Sequence, residues 1–179
     1  YTVQSRVIDT AGNTSTVSTQ TVIVDSSIST ATATLTAISD DTGIVGDFIT
    51  QDGTLLFQGK VTGVLVTDES IQISLDNGLS WTEVTLDRVA NTWQFDHTNT
   101  ALAEGTYNVQ VRVIDTANNV GQLTSQNVVI NSQPSAASVE FTSITEDSGI
   151  AGDYITNDNS LVLHGKILNN LAATDYIEI

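Results

Sequence analysis

Apolar and polar residues alternate along short segments of the chain, and stretches rich in Gly, Asn and Asp separate these segments. A period of two residues places successive side chains on opposite faces of a β-strand, whereas an amphipathic helix would show a period near 3.6 residues. Between residues 27 and 131 the alternation predicts seven short strands. They are expected near residues 31–38, 54–61, 70–75, 81–86, 92–95, 107–114 and 122–130.

The chain also matches itself after a shift of 106 residues. Without any gap, 31 of the 73 overlapping positions are identical. Such a match indicates an internal duplication in which residues 27–131 form one complete domain. Residues 1–26 then correspond to the last two strands, F and G, of a preceding unit, and residues 132–179 to the first strands, A to C, of a following one. Neither partial unit is expected to bury a core alone, because a two-stranded ribbon is only marginally stable in water.

Turn residues and aromatic positions refine this prediction. The run 76–78 (Asp-Asn-Gly) and the run 117–119 (Ala-Asn-Asn) with Gly121 are expected to supply positive φ in hairpin turns. Tyr107 follows a turn and begins an alternating strand, which is typical of the tyrosine corner of Ig-like sandwiches. Trp93 is expected in the core, while Trp81 would be either an edge residue or a platform for stacking a sugar. The fold class is therefore predicted as all-β, with tandem seven-stranded Ig-like β-sandwich domains arranged as a rod.

The charge balance restricts the possible partners. The chain has 5 Lys and Arg residues against 21 Asp and Glu residues, a formal net charge of −16. Phosphate backbones and anionic lipid surfaces would be repelled, so neither a nucleic-acid partner nor membrane insertion is expected. There is no cysteine, so a small extracellular domain would need a constraint other than a disulfide, and a metal ion is the obvious one.

A long acidic loop between the first two strands carries the strongest chemical signal. It spans residues 40–52, and its copy spans residues 146–158. The carboxylates at matched positions are Asp40, Asp41, Asp47 and Asp52 in the first copy and Glu146, Asp147, Asp153 and Asp158 in the second. Carboxylates held close together repel one another unless a cation intervenes. Ca²⁺ prefers such oxygen ligands, whereas Mg²⁺ demands stricter geometry and Zn²⁺ prefers Cys or His. The alternative is that these residues only form turns and caps.

Sandwich topology extends the predicted site toward the neighbouring domain. The A–B and E–F loops lie at the end where the chain leaves a domain, so Asp96 and Glu104 would join the acidic loop. The F–G loop of the next domain would face them with the equivalents of Asp115 and Asn119. The further predicted ligands are Asp115, its copy Asp9 in the preceding unit, Asp96, and Asp25 in the linker. Calcium bridging two domains would stiffen the joint.

Three runs carry a family resemblance. They are D-D-T-G-I-V-G-D-F-I-T at residues 40–50, L-D-N-G-L-S-W ending at Trp81, and G-T-Y-N-V-Q-V-R-V-I-D-T-A-N-N at residues 105–119. They resemble bacterial Ig-like (BIg) domains, above all the calcium-binding tandem domains of giant type I-secreted adhesins and biofilm-associated proteins. The resemblance implies calcium ligation by Asp41, Asp47 and Asp52 and by their copies. Because Glu146 replaces Asp40 and Asn131 replaces Asp25, a weaker or altered second site is expected.

The leading functional hypothesis is a calcium-rigidified spacer repeat of a large, surface-exposed or secreted bacterial adhesin, supporting cell adhesion, biofilm formation or virulence. Its expected partners are adjacent repeats of the same chain, with a host-cell or matrix receptor bound through other regions. The alternative is a carbohydrate- or protein-binding module. An enzyme is not expected, because His97 and His164 are isolated and no nucleophile, phosphate-loop or zinc motif occurs.

Overall fold

The computed structural model describes residues 1–173 and 175–179, and these residues form thirteen β-strands and no helix. They divide into two compact units, Tyr1–Ser132 and Gln133–Ile179. Within the described part of the chain, no helix is long and apolar enough to cross a membrane.

Eleven strands lie in the first unit and two in the described part of the second. In the first unit they are β1 (Thr2–Ser5), β2 (Ser18–Thr21), β3 (Thr32–Ile38), β4 (Ile49–Thr50), β5 (Leu56–Thr62), β6 (Glu69–Ser74), β7 (Thr82–Glu83), β8 (Thr85–Asp87), β9 (Thr92–Asp96), β10 (Gly105–Asp115) and β11 (Val120–Ile130). In the second unit they are β12 (Ser138–Ile144) and β13 (Leu163–Leu168).

Two sheets make up the complete domain. One has the strand order β3-β5-β9-β8 and the other β4-β11-β10-β6-β7. Their inner faces meet in one apolar core, to which Ala33 and Phe57 contribute from the first sheet and Val109, Val111 and Val128 from the second. The predicted all-β sandwich is confirmed.

The predicted number of seven strands is wrong for this domain at two places. The segment 81–86 divides at Val84, so that β7 pairs with β6 in one sheet while β8 pairs with β9 in the other. Val84 is buried in the core at this crossing, and its N–H donates to the Ile71 carbonyl at 3.1 Å. Period-two alternation continues through the crossing because it reports only which side chains are buried. The other additional strand, β4, lies inside the acidic loop.

Both predicted hairpin turns contain residues in the left-handed region. Asn77, Gly78 and Asn118 have φ values of 60°, 86° and 65°, as positions in the left-handed region require. Gly121, in contrast, does not adopt a positive φ. It is small for another reason: a Cβ there would lie 3.2 Å from the Cβ of Ser29.

Both aromatic predictions for the complete domain are confirmed. The Tyr107 hydroxyl donates to the Ala103 carbonyl at 3.0 Å, which closes the tyrosine corner. Trp93 is only 2% exposed and lies over Gly59, where an added Cβ would be 2.2 Å from the indole ring. Gly59 therefore leaves the space that the tryptophan fills.

The second unit reproduces the hairpin of β3 and β5. Strands β12 and β13 pair antiparallel with an irregularity between Phe141 and Ser143, and the β3–β5 pair has its irregularity at the matching positions Leu35 and Ala37. Glu140 and Lys166 form an ion pair at 2.7 Å across the hairpin. The local structure of the repeat is thus the same in both units.

Candidate functional site

The acidic loop follows the same backbone path in its two copies. Four residues in each copy have a positive φ, and they occupy matched positions. They are Asp40 (49°), Gly43 (82°), Gly46 (94°) and Phe48 (62°) in the first copy, and Glu146 (54°), Gly149 (88°), Gly152 (88°) and Tyr154 (59°) in the second. Left-handed backbone is unusual for an aromatic side chain. Its recurrence at Phe48 and Tyr154 shows that the loop has one well-defined conformation.

One carboxylate oxygen in each copy of this loop is buried and finds no hydrogen-bond partner among the described residues. Asp41 accepts the Gly46 N–H through Oδ2 at 2.7 Å, and Asp147 accepts the Gly152 N–H in the same way at 2.7 Å. Their Oδ1 atoms are the unsatisfied ones. A buried acceptor without a partner costs free energy. The pair therefore marks one position, repeated in both units, at which a cation would be favourable.

The other loop aspartates act as turn formers through one oxygen. Asp47 Oδ1 accepts the Ile49 N–H at 2.9 Å, and Asp52 Oδ1 accepts the Thr54 N–H at 2.8 Å and the Thr54 hydroxyl at 2.7 Å. The copies Asp153 and Asp158 accept backbone N–H groups in the same way, both at 2.9 Å. These bonds are the ones that the turn-and-cap alternative requires.

Sequence reasoning missed the role of Thr50, which lies near the end of the acidic loop and bonds to both of its sides. Thr50 is 1% exposed; its hydroxyl donates to the Asp40 carbonyl and accepts the Asp52 N–H at 3.1 Å. Thr156 makes the matching bonds to Glu146 and Asp158 in the second copy. The recurrence of Thr two residues before the last Asp of both loops is the sequence signal that would have found it.

Strand β4 fastens the first loop to the last strand of the domain. Ile49 and Thr50 run parallel to Val129 and Ile130 of β11. The Val129 N–H donates to the Phe48 carbonyl at 2.9 Å, and the Asn131 N–H donates to the Thr50 carbonyl at 2.8 Å. The acidic loop is thereby attached to the segment through which the chain leaves the domain.

The two predicted ligands of the E–F connection, Asp96 and Glu104, each accept two hydrogen bonds from a single residue. Asp96 accepts the Thr98 hydroxyl at 2.7 Å and the Thr98 N–H at 3.0 Å, and these bonds lower the pKa of its carboxyl. Glu104 accepts the Ser132 hydroxyl at 2.7 Å and its N–H at 3.0 Å, which lowers its pKa as well. Both side chains are therefore ionised carboxylates at neutral pH.

The F–G loop has the same hydrogen bonds in its two copies. Asp115 Oδ2 accepts the Asn119 side-chain amide at 2.8 Å, and Oδ1 accepts the N–H groups of Ala117 and Asn119, both at 2.8 Å. The side-chain bond from Asn119 is the main reason that the pKa of Asp115 is lowered. Asp9 is bound in the same way by Asn13, and its pKa is lowered for the same reason.

Asp25 meets the F–G loop through its backbone. Its carbonyl accepts the Asn119 side-chain amide at 3.2 Å, and its Oδ1 accepts the Ser27 N–H at 3.0 Å. Asn119 thus joins the linker to Asp115.

Taken as a set, the predicted metal ligands are distributed over several local networks. Within residues 1–173 and 175–179, no three His, Cys, Asp or Glu side chains form a group that would hold a metal ion. The structure gives the acidic loop one buried, unsatisfied carboxylate oxygen per copy, so any ion there would also need other oxygens, from exposed carboxylates, carbonyls or water. The predicted ligand set stays a prediction.

The side chains considered for the alternative functions, Trp81 for sugar binding and His97 for catalysis, contact other side chains of the domain. The Arg112 guanidinium lies 3.9 Å from the centroid of the Trp81 ring, and the Trp81 indole N–H donates to the Gly78 carbonyl at 3.1 Å. One face of this ring is therefore covered rather than open to a sugar. Partial burial lowers the pKa of Arg112. His97 stacks on Phe95 with ring centroids 5.8 Å apart.

Comparison with protein families agrees with this architecture. A model described as a bacterial Ig-like domain matches residues 27–132, and a second bacterial Ig-like domain model matches residues 1–26. A search of curated proteins finds no match to the chain. The first family match covers more than half of the chain, and its span is the two-sheet sandwich described above. The protein therefore belongs to the bacterial Ig-like domain family.

Proposed function

We propose that this protein is a structural spacer of a large bacterial adhesin, and that Ca²⁺ bound at the acidic loops rigidifies it. Membership of the bacterial Ig-like family and the 106-residue repeat support a structural module. The observation that carries the calcium proposal is the buried, unpartnered Oδ1 of Asp41 and of Asp147, which recurs at the same position in two separate units.

The chemistry of the loop fits a hard cation. Its donors are oxygens from carboxylates, hydroxyls and backbone carbonyls, which are the ligands that Ca²⁺ accepts in flexible geometry. Bound calcium would supply positive charge to Asp41 Oδ1 and would reduce repulsion among the neighbouring carboxylates. Asp47 and Asp52 would contribute through the carboxylate oxygens that their turn bonds leave available, and Asp40 would contribute through its own carboxylate. Glu146, Asp153 and Asp158 would have the same roles in the second loop.

The attachment of the loop to β11 supports a role in stiffness. Residues 48–50 are hydrogen-bonded to residues 129–131, so ordering the loop also orders the end of the domain. We propose adjacent repeats as the partners at this end, with Asp96, Asp115, Asp9 and Asp25 as further ligands. A host-cell or matrix receptor would be bound by other regions of the adhesin.

An extracellular location follows from the proposed affinity. Extracellular calcium modules bind with a Kd of about 0.1 to 1 mM, which leaves them empty at cytosolic calcium and filled outside the cell. The formal charge of −16 would be partly neutralised as the ions bind, so folding and calcium loading would reinforce each other at the bacterial surface.

Calorimetric titration of the full chain with CaCl₂ tests the site directly. We expect binding that is reduced by one site in Asp41→Asn and by one site in Asp147→Asn, since each change removes charge from one unsatisfied oxygen. The exposed Asp68→Asn is the control, because it changes the net charge equally and should leave both sites intact.

Thermal unfolding in calcium and in EGTA tests the consequence for stability. A ligand that binds only the folded state raises the Tm, so calcium should raise it in wild type and Asp68→Asn more than in Asp41→Asn. Identical melting in millimolar calcium and in EGTA, with no heat of binding, would refute the calcium proposal.

Small-angle X-ray scattering of the full chain tests stiffening separately. Calcium should lengthen and narrow the distribution of interatomic distances. A distribution that is unchanged although calorimetry shows binding would separate calcium binding from stiffening. Specific signals on a glycan array would instead favour the carbohydrate-binding alternative.

A further inference from the structure

The turn between β6 and β7 contains the one asparagine of this sequence that precedes a glycine, Asn77 before Gly78. Asn77 is exposed and Gly78 is half-buried. In such a pair the backbone nitrogen of the glycine can attack the side-chain carbonyl carbon of the asparagine, because glycine has no Cβ to hinder ring closure. The turn therefore holds two groups that can react with each other.

Deamidation by this route needs water and no other reagent. The Gly78 nitrogen loses its proton to water and bonds to Asn77 Cγ, the bond from Cγ to Nδ2 breaks, and the side-chain nitrogen takes up a proton and leaves as ammonia. Water then opens the cyclic imide at either of its carbonyls. The product is aspartate or isoaspartate, and in isoaspartate the main chain runs through Cβ and Cγ of residue 77.

The folded turn occupies the attacking nitrogen. The Gly78 N–H donates to Ser74 Oγ at 2.8 Å, and the Ser74 hydroxyl donates to Asp76 Oδ1 at 2.7 Å. Ser74 is only 2% exposed, so water has little access to this bond. The Gly78 nitrogen can lose its proton only after the bond to Ser74 has broken.

The turn also holds the asparagine side chain and the glycine peptide group. Asn77 Oδ1 accepts the Gln110 side-chain amide at 3.0 Å, and the Trp81 indole N–H donates to the Gly78 carbonyl at 3.1 Å. Gln110 lies close against the turn, since a Cβ added at Gly78 would be 2.8 Å from its Oε1. We therefore expect ring closure to require breaking the bond to Gln110 as well as the bond to Ser74.

A negative charge in the turn acts in the same direction. The Ser80 hydroxyl and the Ser80 N–H bond to the Asp76 carboxylate and lower its pKa to about 2. Asp76 is therefore ionised at every pH at which the Gly78 amide could lose its proton. A nearby charge of the same sign disfavours an anionic nitrogen, so the folded turn makes the attacking form of Gly78 rarer.

We propose that Asn77 is a site of spontaneous deamidation that reacts in the unfolded chain and is protected in the folded domain by Ser74 and Gln110. Isoaspartate at residue 77 lengthens the main chain of the turn, so Gly78 no longer has the geometry that reaches Ser74. The fraction of modified chains therefore reports the time that the protein has spent unfolded. The proposal is independent of calcium binding at the acidic loops.

Deamidation of the full-length chain in its two states tests the protection. The wild-type protein is incubated at mildly alkaline pH, folded in buffer and unfolded in guanidinium chloride, and the products are followed by peptide mass spectrometry. We expect Asn77 to react at least about tenfold more slowly in the folded protein, because two hydrogen bonds must open first. Asn91 is the internal control, since it precedes the β-branched Thr92 and should react slowly in both states. Equal rates at Asn77 in the two states would overturn the proposal.

Two variants test the protecting side chains. Folded Ser74→Ala and folded Gln110→Leu should each deamidate at Asn77 about two- to tenfold faster than the folded wild type, because each lacks one hydrogen bond of the turn. Gln94→Leu is the matched control, since Gln94 is exposed on β9 in the other sheet and should leave the rate unchanged. Tryptophan fluorescence establishes that each variant is folded.

The sign of the Ser74→Ala effect separates protection from catalysis. A lower rate would mean that Asp76 acts through Ser74 to remove the Gly78 proton, and this result would overturn the protective role. Gln110→Leu decides the outcome if Ser74→Ala does not fold. A rate in Gln110→Leu no higher than in Gln94→Leu would likewise overturn the proposal.

Discussion

The complete domain and the second unit contain the same hairpin, but its apolar side chains are buried in the first and exposed in the second. Phe57 in β5 is 0% exposed, whereas its copy Leu163 in β13 is 49% exposed. The acidic loops attached to these hairpins nevertheless have positive φ at the same four positions, and Asp41 and its copy Asp147 each accept the same hydrogen bond from a glycine N–H. The loop is therefore built by contacts within about a dozen residues, while the core depends on strands that are distant in sequence.

The largest expected difference between the two regions is the effect of truncating a matched apolar residue. Phe57→Ala should lower the free energy of unfolding by about 3 to 5 kcal/mol, because it leaves a cavity in a closed core. Leu163→Ala should change the main transition of dilute protein by less than about 0.5 kcal/mol, as is usual for exposed sites. Urea unfolding followed by tryptophan fluorescence measures both. Equal effects would mean that Leu163 is buried in solution.

A smaller difference is expected at the matched glycines. In Gly59→Ala the new Cβ would lie 2.1 Å from the Thr34 carbonyl oxygen and 2.2 Å from the Trp93 ring, so the variant should lose about 1 to 3 kcal/mol, the usual cost of overpacking. In Gly165→Ala the nearest atom is the Glu140 carbonyl oxygen at 3.0 Å, and the loss should be smaller. Thermal unfolding of the two variants compares them. A larger loss in Gly165→Ala would contradict the packing described for Trp93.

The tyrosine corner provides a third matched pair. Tyr107→Phe removes the bond to the Ala103 carbonyl and should cost about 0.5 to 1.5 kcal/mol. Its copy Tyr1 is 84% exposed, so Tyr1→Phe should leave the unfolding free energy unchanged. Chemical denaturation distinguishes the two, and a Tyr107→Phe variant as stable as the wild type would show that the corner bond adds nothing.

The smallest expected effect concerns the F–G aspartates. Folding lowers the pKa of Asp115 and of Asp9, mainly through the side chains of Asn119 and Asn13. A carboxyl whose pKa is lower in the folded state stabilises the fold fully above its unfolded pKa of about 3.9, and this contribution is lost as the pH falls through the folded value. NMR titration of the side-chain carboxyls should place both pKa values below those of free aspartate. A lowered value at Asp115 alone would show that the loop requires the rest of the sandwich.

Sequence reasoning was successful where local chemistry decides the structure. The alternation that predicted the strands, the turn at Asn77 and Gly78, and the corner at Tyr107 all depend on neighbouring residues or on side-chain burial. It failed where the chain crosses from one sheet to the other, between β7 and β8. The sequence of residues 81–86 carries no signal for the crossing at Val84, because an apolar side chain is buried in the same core whichever sheet its strand joins.

For the candidate site, the sequence identified the loop but could not rank its carboxylates. Asp41 and Asp47 look equivalent in sequence, yet the structure leaves Oδ1 of Asp41 buried without a partner and engages Oδ1 of Asp47 with the Ile49 N–H. The short β4 strand was missed because two residues are too few for a periodic signal. Its existence depends on β11, about 80 residues later in the chain.

The parallel pairing of β4 with β11 also has a mechanical consequence. Tension applied to the chain beyond Ser132 pulls on β11 along its own axis. The bonds from Val129 to Phe48 and from Asn131 to Thr50 lie across that axis, as ladder hydrogen bonds do. They are therefore loaded in shear and together, whereas bonds at the open end of a hairpin separate one after another. A pulled domain would have to break both before β11 could slide, and the short strand inside the acidic loop would resist extension out of proportion to its length.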